Sequence, residues 1–555
     1  MKGLPAPRAR RVCAASIAAL ILSTGLWATA SGGSPAHAAT SRETVGSRGC
    51  TPPVPPVPAT ATPVPGSTTD WTLTSFDGTK IRMHWFPNPS ASAAHPDPTL
   101  LFGPGFGSPG QTNVTQTDAY GGGSIADLQA AGYNVLTWDP RGFGQSGGSV
   151  EIDSPSYEAR DVSSMIDWVA TRPGVLLDGP DAPRVGMVGG SYGGGIQFLA
   201  AAEDCRIGAI VPTIAWHSLA TSLDKGGVAK TGWGNLLYAL AGGHSLDPRI
   251  TTSHTESDTV GTIDPATLAW YAAHGPAGLL GRIHAPTLII QGTVDTLFTL
   301  DEGIANYEAL RRDHVPVSMI WFCGGHGACL TSPGDTALPD SATIAWLNRY
   351  LKGHTAQRTG PGFRFVDQNG TEYAAPSFPL AAGRPVVASS TGGTLPMVAT
   401  GGAGPATIPT GGGGSLGAVA GSITTAKATN AVDVDVRLAR RGLIEGPPKL
   451  TLTYRGDVPA GPQPSAVFAQ VVDDATGLVL GNQITPIPLK LDGATHTTTV
   501  PLETVVFAAR PGARLTLQLV ATTVAYAHPR LGGSVTFTKV GLALPTVKGA
   551  TVLGS

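Results

Sequence analysis

The feature that most restricts how this chain folds is the stretch "RVGMVGGSYGGGIQFLAAAED", residues 184–204. A short apolar run passes into glycines packed around one serine, and an apolar helical pattern follows. Glycine inside a strand or helix costs stability, so five glycines around Ser191 need a reason. A sharp strand-to-helix turn supplies one. Neighbouring side chains collide there, and only small residues let the serine hydroxyl stand clear of the sheet. The pattern G-x-S-x-G at Gly189–Gly193 is that of a nucleophile elbow. The serine then sits at a helix N-terminus, where the dipole favours developing negative charge.

The flanking segments give the elbow its setting. "DWTLTSFDGTKIRMHWF" alternates about an Asp77-Gly78 turn and reads as a hairpin. "PTLLFG", "YNVLTWD", "RVGMVGG", "IGAIVPTIA", "PTLIIQGTVD" and "VSMIWFCGG" are buried strands. Helical patterns at "SIADLQAAGY", "YEARDVSSMIDWVA", "GIQFLAAAED", "IANYEALRR" and "SATIAWLNRYLKG" alternate with them. That rhythm predicts a doubly wound, mostly parallel sheet covered on both faces, over residues 70–355. Residues 216–283 interrupt it with a mixed, aromatic, helix-prone stretch that we read as an inserted cap. Residues 356–426 are read as a connecting region rich in Gly, Ala and Thr. From 427 to 555 there are alternating β-type runs with almost no helical period: "VDVDVRL", "KLTLTYRG", "AVFAQVVDD", "HTTTVPLETVVF", "RLTLQLVATT" and "GSVTFTKVGLAL". They predict an all-β sandwich or jelly-roll-like domain.

A serine hydroxyl does not attack unaided. It needs a base, and the base needs a group to orient it. With a nucleophile elbow these follow in the order Ser, acid, His. "TLIIQGTVD" ends in Asp295, just past a buried strand. Among 13 histidines, His326 in "FCGGHGAC" is the one flanked by glycines directly after a buried strand. Ser191, Asp295 and His326 are therefore the candidate catalytic residues, with Asp301 as the rival acid further from its strand. The oxyanion that forms needs two donors. We expect the backbone N–H of Tyr192 and, from the loop "GPGFG" after "TLLF", that of Phe106. "GPGFG" lacks the spacing and acidic partner of a dinucleotide fingerprint. Asp139 and Arg141 in "WDPRGFGQSGG" are expected to brace their turn, with substrate binding as the alternative.

The N-terminus carries Lys2, Arg8, Arg10 and Arg11, then an apolar run from Val12 to Ala28, then Ala36-His37-Ala38. This is the pattern of a cleaved export signal over residues 1–38, by the general secretory or the twin-arginine route. The run is short for a membrane span and diluted by Ser, Thr and Gly. Residues 39–69, rich in Pro, Thr and Ser, are expected to form an extended tether. Losing the signal removes four positive charges and no negative one. The whole chain has net charge −2 with 13% charged residues, which offers no basic stripe for nucleic acid. Cys13 leaves with the signal. Four cysteines remain, and in an exported chain they suggest two disulfides. Of the three pairings, Cys323–Cys329 is favoured by proximity, which leaves Cys50–Cys205. A metal site of Cys323, His326 and Cys329 is the rival. No metal or organic cofactor is expected.

Together these residues resemble the α/β-hydrolase superfamily, and within it the X-Pro dipeptidyl-peptidase (peptidase S15) and CocE/NonD group. "GGSYGG" fits that group's G-x-S-Y-x-G, and "DPRGFGQSGG" fits its D-x-R-G-x-G-x-S. "GPPKLTLTYRGD", "AVFAQVVDD" and "GARLTLQLVAT" resemble its C-terminal jelly-roll module. The resemblance implies a secreted serine hydrolase, with Ser191 as nucleophile, Asp295 as acid and His326 as base, cleaving a small ester or an X-Pro peptide. The chain departs from the group at Phe106, where a tyrosine usually helps hold the oxyanion. The alternative is a non-catalytic cell-wall or glycan-binding protein on a hydrolase scaffold. Acyl specificity and oligomeric state are not legible in the sequence.

Overall fold

A computed structural model describes residues 60–117, 122–407 and 420–553. Residues 1–38, expected to be an export signal, and Cys50 lie outside the described residues. One large sheet carries residues 60–375. Its strands are β1 (Thr60–Pro63), β2 (Asp70–Thr74), β3 (Lys80–Phe86), β4 (Thr99–Phe102), β5 (Asn134–Trp138), β6 (Val185–Gly190), β7 (Ile207–Thr213), β8 (Thr287–Gly292), β9 (Val317–Phe322), β10 (Phe363–Val366) and β11 (Glu372–Ala375). Their spatial order is β1-β2-β3-β5-β4-β6-β7-β8-β9-β10-β11, and Thr551–Val552 adds a last short strand beside β11. From β5 through β10 neighbours run parallel, and both flanks are antiparallel. Strands β4, β5, β6 and β8 are buried along their whole length, as a sheet covered on both faces requires.

Helices α2 (Glu158–Val169), α3 (Tyr192–Glu203) and α8 (Leu300–Arg312) pack on one face through residues such as Met165, Ile196 and Leu310. Helices α1 (Ile125–Ala130) and α9 (Leu338–Tyr350) pack on the other through Leu128, Trp346 and Leu347. α1 starts on a capping box at Ser124 and Asp127. Between β7 and β8 stand the cap helices α4 (Leu219–Leu223), α5 (Thr231–Leu240), α6 (Pro248–Thr259) and α7 (Pro265–Ala273). Asp247 and Asp264 cap α6 and α7, each with proline in the first turn.

Most of the β-type runs near the C-terminus form two antiparallel sheets packed face to face, while Val505–Ala509 pairs with Gly442–Gly446 in a third. One joins Val386–Ser390, Ser534–Leu544, Lys449–Asp457 and Asp492–Pro501; the other joins Ala431–Arg437, Arg514–Val520, Ala466–Asp473 and Val479–Pro488. Leu450, Leu452, Phe537 and Leu542 of the first meet Val434, Val467, Leu517 and Leu519 of the second in a single apolar layer. In Ala466–Asp473 every residue is buried, because the strand has no face to solvent. Its other side, with Phe468, shares a core with Trp216, Tyr271 and Phe298 of the cap and hydrolase sheet.

Three boundaries differ from expectation. The tether expected through residue 69 ends sooner, since Thr60–Pro63 pair antiparallel with Asp70–Thr74. An edge strand tolerates the proline that made this stretch read as a linker. The region 356–426 is more than a connector: β10 and β11 extend the large sheet, and Val386–Ser390 already belongs to the sandwich. "HTTTVPLETVVF" is two strands, broken at Leu502–Thr504, where buried Glu503 turns away to meet Lys225 at 2.6 Å.

Phe468 is fully buried where sandwich and cap meet. Phe468→Ala should therefore cost about 3–5 kcal/mol of stability, read as a lower urea midpoint with an unchanged m-value.

Candidate active site

β4 lies between β5 and β6, so the strand order reverses there. Ligands of open α/β sheets bind beyond the strand carboxyl ends at such a reversal. Both loops that leave it carry site residues: Gly103–Gly107 after β4 and Ser191 after β6. Ser191 has φ +57° and ψ −117°, a backbone region costly for a residue with a side chain. Its N–H is tied to the Thr213 carbonyl at 2.9 Å. The glycines permit the turn. A Cβ on Gly193 would stand 2.1 Å from the Gly103 carbonyl oxygen, and one on Gly189 would stand 2.4 Å from the same atom. No side chain fits between these two backbones, so the loop after β4 lies directly against the start of α3.

The three residues predicted from sequence meet. His326 Nε2 is 2.7 Å from Ser191 Oγ, and His326 Nδ1 is 2.8 Å from Asp295 Oδ2. A carboxylate against Nδ1 holds the ring proton there and leaves the Nε2 lone pair facing the serine O–H. Asp295 is fully buried. Its Oδ1 accepts the N–H groups of Leu297 and Phe298 at 3.0 and 2.8 Å, and its Oδ2 also accepts the N–H of His326 at 3.1 Å. The imidazole stands edge-on to Trp233 and Phe298. Asp301 is elsewhere, bonded to Thr504 and 4.0 Å from Lys225.

The Tyr192 N–H opens α3, and the Phe106 N–H lies on the loop against it. Among the described residues neither donates to a protein acceptor. The Phe106 ring packs edge-on against Tyr192 and Phe143. Cys323 and Cys329 form a disulfide that closes the loop around His326, so both thiols of the rival metal reading are consumed. The pairing expected for Cys205 falls, through Cys50, outside the described residues. Asp139 and Arg141 brace their turn. Asp139 accepts N–H groups from Gly110 and Gln145, and Arg141 pairs with Asp77 and Asp161, each at 2.7 Å.

Several site neighbours were missed from sequence. Lys230, buried in the cap, donates to the carbonyls of Thr296 and Leu297, both at 2.9 Å, directly after Asp295. Burial lowers its pKa to about 8. Trp233 Nε1 donates to Thr296 Oγ1 at 3.0 Å. Asn482 and Gln483 reach the same loops from the sandwich. A glycine-asparagine pair interrupting the β run "VLGNQITPIP" was the available signal for the latter.

An apolar cleft of about 850 Å³, counting its open mouth, runs from Ser191 into the cap past Trp216, Leu237, Ile250 and Ile263. Among the described residues lining it there is no carboxylate, and Lys230 is the one aliphatic amine. Beside Tyr192, the residue after Ser191, lies an acidic cluster. The Asp153 N–H donates to the Tyr192 hydroxyl at 3.1 Å, and Glu158 accepts the N–H groups of Glu151 and Ser154 at 2.8 and 2.9 Å.

Residues 77–328 match the family model of X-Pro dipeptidyl-peptidase (S15 family). An uncharacterized 31.7 kDa protein of Escherichia coli is 26% identical, the match covering 32% of this chain and 68% of that protein. A CocE/NonD family hydrolase from Staphylococcus aureus superposes with a TM-score of 0.57 at 14% identity, over 91% of this chain and 100% of that one. An aminopeptidase from a marine-sediment Thaumarchaeota archaeon does so with a TM-score of 0.59 at 14% identity, over 92% and 98%. At such identity the superpositions establish a shared fold, an α/β-hydrolase-like mixed sheet with a β-rich C-terminal part. The chain thus resembles the S15 and CocE/NonD group.

Burial, with Asp161 nearby, pushes the Glu158 carboxyl up to about 8 from an ordinary 4.5. Between about pH 5 and pH 8 the folded state then keeps a proton that the unfolded chain has released, and stability falls as pH rises. Glu158→Gln should flatten that fall, measured as urea midpoints at either end of the window.

Proposed function

We propose that this chain is an exported serine hydrolase that cleaves esters of neutral, apolar acids through an acyl-enzyme. The observation that carries the reading is the unbroken chain of hydrogen bonds Asp295–His326–Ser191 at the mouth of an apolar cleft. The acyl group of the substrate enters the cleft and its carbonyl carbon meets Ser191 Oγ. As Oγ attacks, His326 Nε2 takes its proton, and Asp295 stabilises the imidazolium that forms. The carbonyl oxygen becomes an oxyanion held by the N–H groups of Tyr192 and Phe106, with the α3 dipole behind them. His326 returns the proton to the leaving alcohol as the C–O bond breaks. Water then attacks the acyl-enzyme by the same route, and the acid and free Ser191 are released. Export rests on the N-terminal pattern. The Cys323–Cys329 disulfide agrees with an oxidising compartment, and among the described residues no helix is long and apolar enough to cross a membrane.

A second reading, hydrolysis of X-Pro peptides, is favoured by the family match over residues 77–328. A dipeptidyl-peptidase must also bind the free amine of its substrate. The described lining of the cleft offers that ammonium no carboxylate, which argues for an ester.

Ser191→Ala should lose fluorophosphonate labelling and lower kcat by at least about a thousandfold. Labelling equal to wild type would refute the serine mechanism. The wild-type enzyme should hydrolyse p-nitrophenyl hexanoate with a kcat/KM at least about a hundredfold above that for Ala-Pro-p-nitroanilide, as expected where no carboxylate meets the substrate ammonium. The reverse order would give the peptide reading the site.

A further inference from the structure

We infer that two adjacent residues of the C-terminal sandwich, Asn482 and Gln483, are positioning residues of the active site, holding the acid loop and the base loop in register. This rests on the Ser191–His326–Asp295 reading above. The strand Val479–Pro488 pairs with Ala466–Asp473 as a regular ladder except at one place. Ile484 faces Gln470 and Val479 faces Val472, so residues 480–483 leave the ladder where the partner strand skips only Val471. Within this bulge Gly481 and Asn482 both have positive φ, +61° and +58°. Asparagine tolerates that region better than most residues with a side chain, but a strand has no need of it.

The bulge turns two carboxamides out of the sandwich and into the hydrolase sheet. Asn482 Nδ2 donates to the Ala328 carbonyl at 2.9 Å, two residues after His326 and inside the disulfide loop. Gln483 Nε2 donates to the carbonyl of Asp295 itself at 2.8 Å. Both side chains are buried. The bulge is anchored in turn, since the Gly481 N–H donates to Gln368 Oε1 at 2.8 Å and Thr425 Oγ1 donates to the Asn482 carbonyl at 3.1 Å. It seats closely, because a Cβ on Gly481 would stand 3.1 Å from the Thr293 carbonyl oxygen.

Asp295 and His326 sit on loops that leave two different strands, and their mutual distance sets whether Nε2 reaches the serine. The two amides come from consecutive residues of one short backbone segment, so that segment acts as a spacer between the loops. It touches neither the substrate cleft nor the reacting atoms. Its loss should therefore alter turnover and leave binding alone.

Asn482→Gly keeps the left-handed backbone and removes only the amide; Gln483→Met keeps nearly the same volume and removes the donor. Each variant in the full chain should lower kcat for p-nitrophenyl hexanoate by roughly ten- to a hundredfold, as displaced catalytic groups do. KM and the thermal midpoint should stay near wild type. The low-field proton resonance of the His326 Nδ1–H···Asp295 hydrogen bond should shift or broaden in both. If Asn482→Gly does not fold, Gln483→Met carries the test alone. A folded variant with wild-type kcat and an unmoved resonance overturns the inference, as does a loss of activity that only follows a loss of folded protein. Ser191→Ala assayed alongside separates the two levels. If it stays active the serine mechanism itself fails, and if it is dead while the 482 and 483 variants match wild type, the spacer alone fails.

Discussion

One buried carboxylate organises this site. Asp295 accepts four N–H groups, two on each oxygen: Leu297 and Phe298 on Oδ1, and the backbone and ring of His326 on Oδ2. A charge taken out of water in this way is tolerable only when its lone pairs are met by donors. Those donors also fix the loop after β8 and the loop after β9 to one another. The imidazole cannot turn away from Ser191 without breaking its bond to Oδ2. The placing of the imidazole against Ser191 thus follows from the hydrogen bonds that the chain gives one buried carboxylate.

Three layers of structure converge on that anion. The parallel sheet delivers Ser191, Asp295 and His326 from the ends of β6, β8 and β9. The cap supplies Lys230 and Trp233, which bind the Asp295 loop from the opposite side. The sandwich supplies Gln483 on the Asp295 carbonyl and Asn482 beside His326. The apolar core that joins Trp216, Phe298 and Phe468 is continuous across all three, so the cap walls the cleft and the sandwich packs behind it.

The parts that were legible in the sequence are those where local chemistry leaves little choice. The glycines around Ser191 announced a turn with no room for side chains, and Gly193 against the Gly103 carbonyl is the reason. His326 stood out because it follows a buried strand between glycines. The bracing role of Arg141 also agreed with expectation. Less was legible wherever a residue's role depends on a distant partner. Thr60–Pro63 read as tether because proline argues against strands in general, yet an edge position accepts it. Glu503 lay inside what looked like one continuous strand, and only its pairing with Lys225 explains the break. Lys230 looked like any cap lysine until two carbonyls of the acid loop met its amine.

The sequence by itself determined the alternation of strands and helices, the tight turn at Ser191, the placing of Asp295 and His326 just after buried strands, and a β-rich C-terminal part. These follow from backbone sterics and hydrophobic period, which act over a few neighbouring residues. Only the tertiary structure decided which acid meets His326, that the cleft is apolar and lacks a carboxylate among its described lining, and that the sandwich reaches the loops of Asp295 and His326. Those outcomes depend on contacts between segments as far apart as Asp295 and Gln483, and no local pattern encodes the partner at the far end of such a contact.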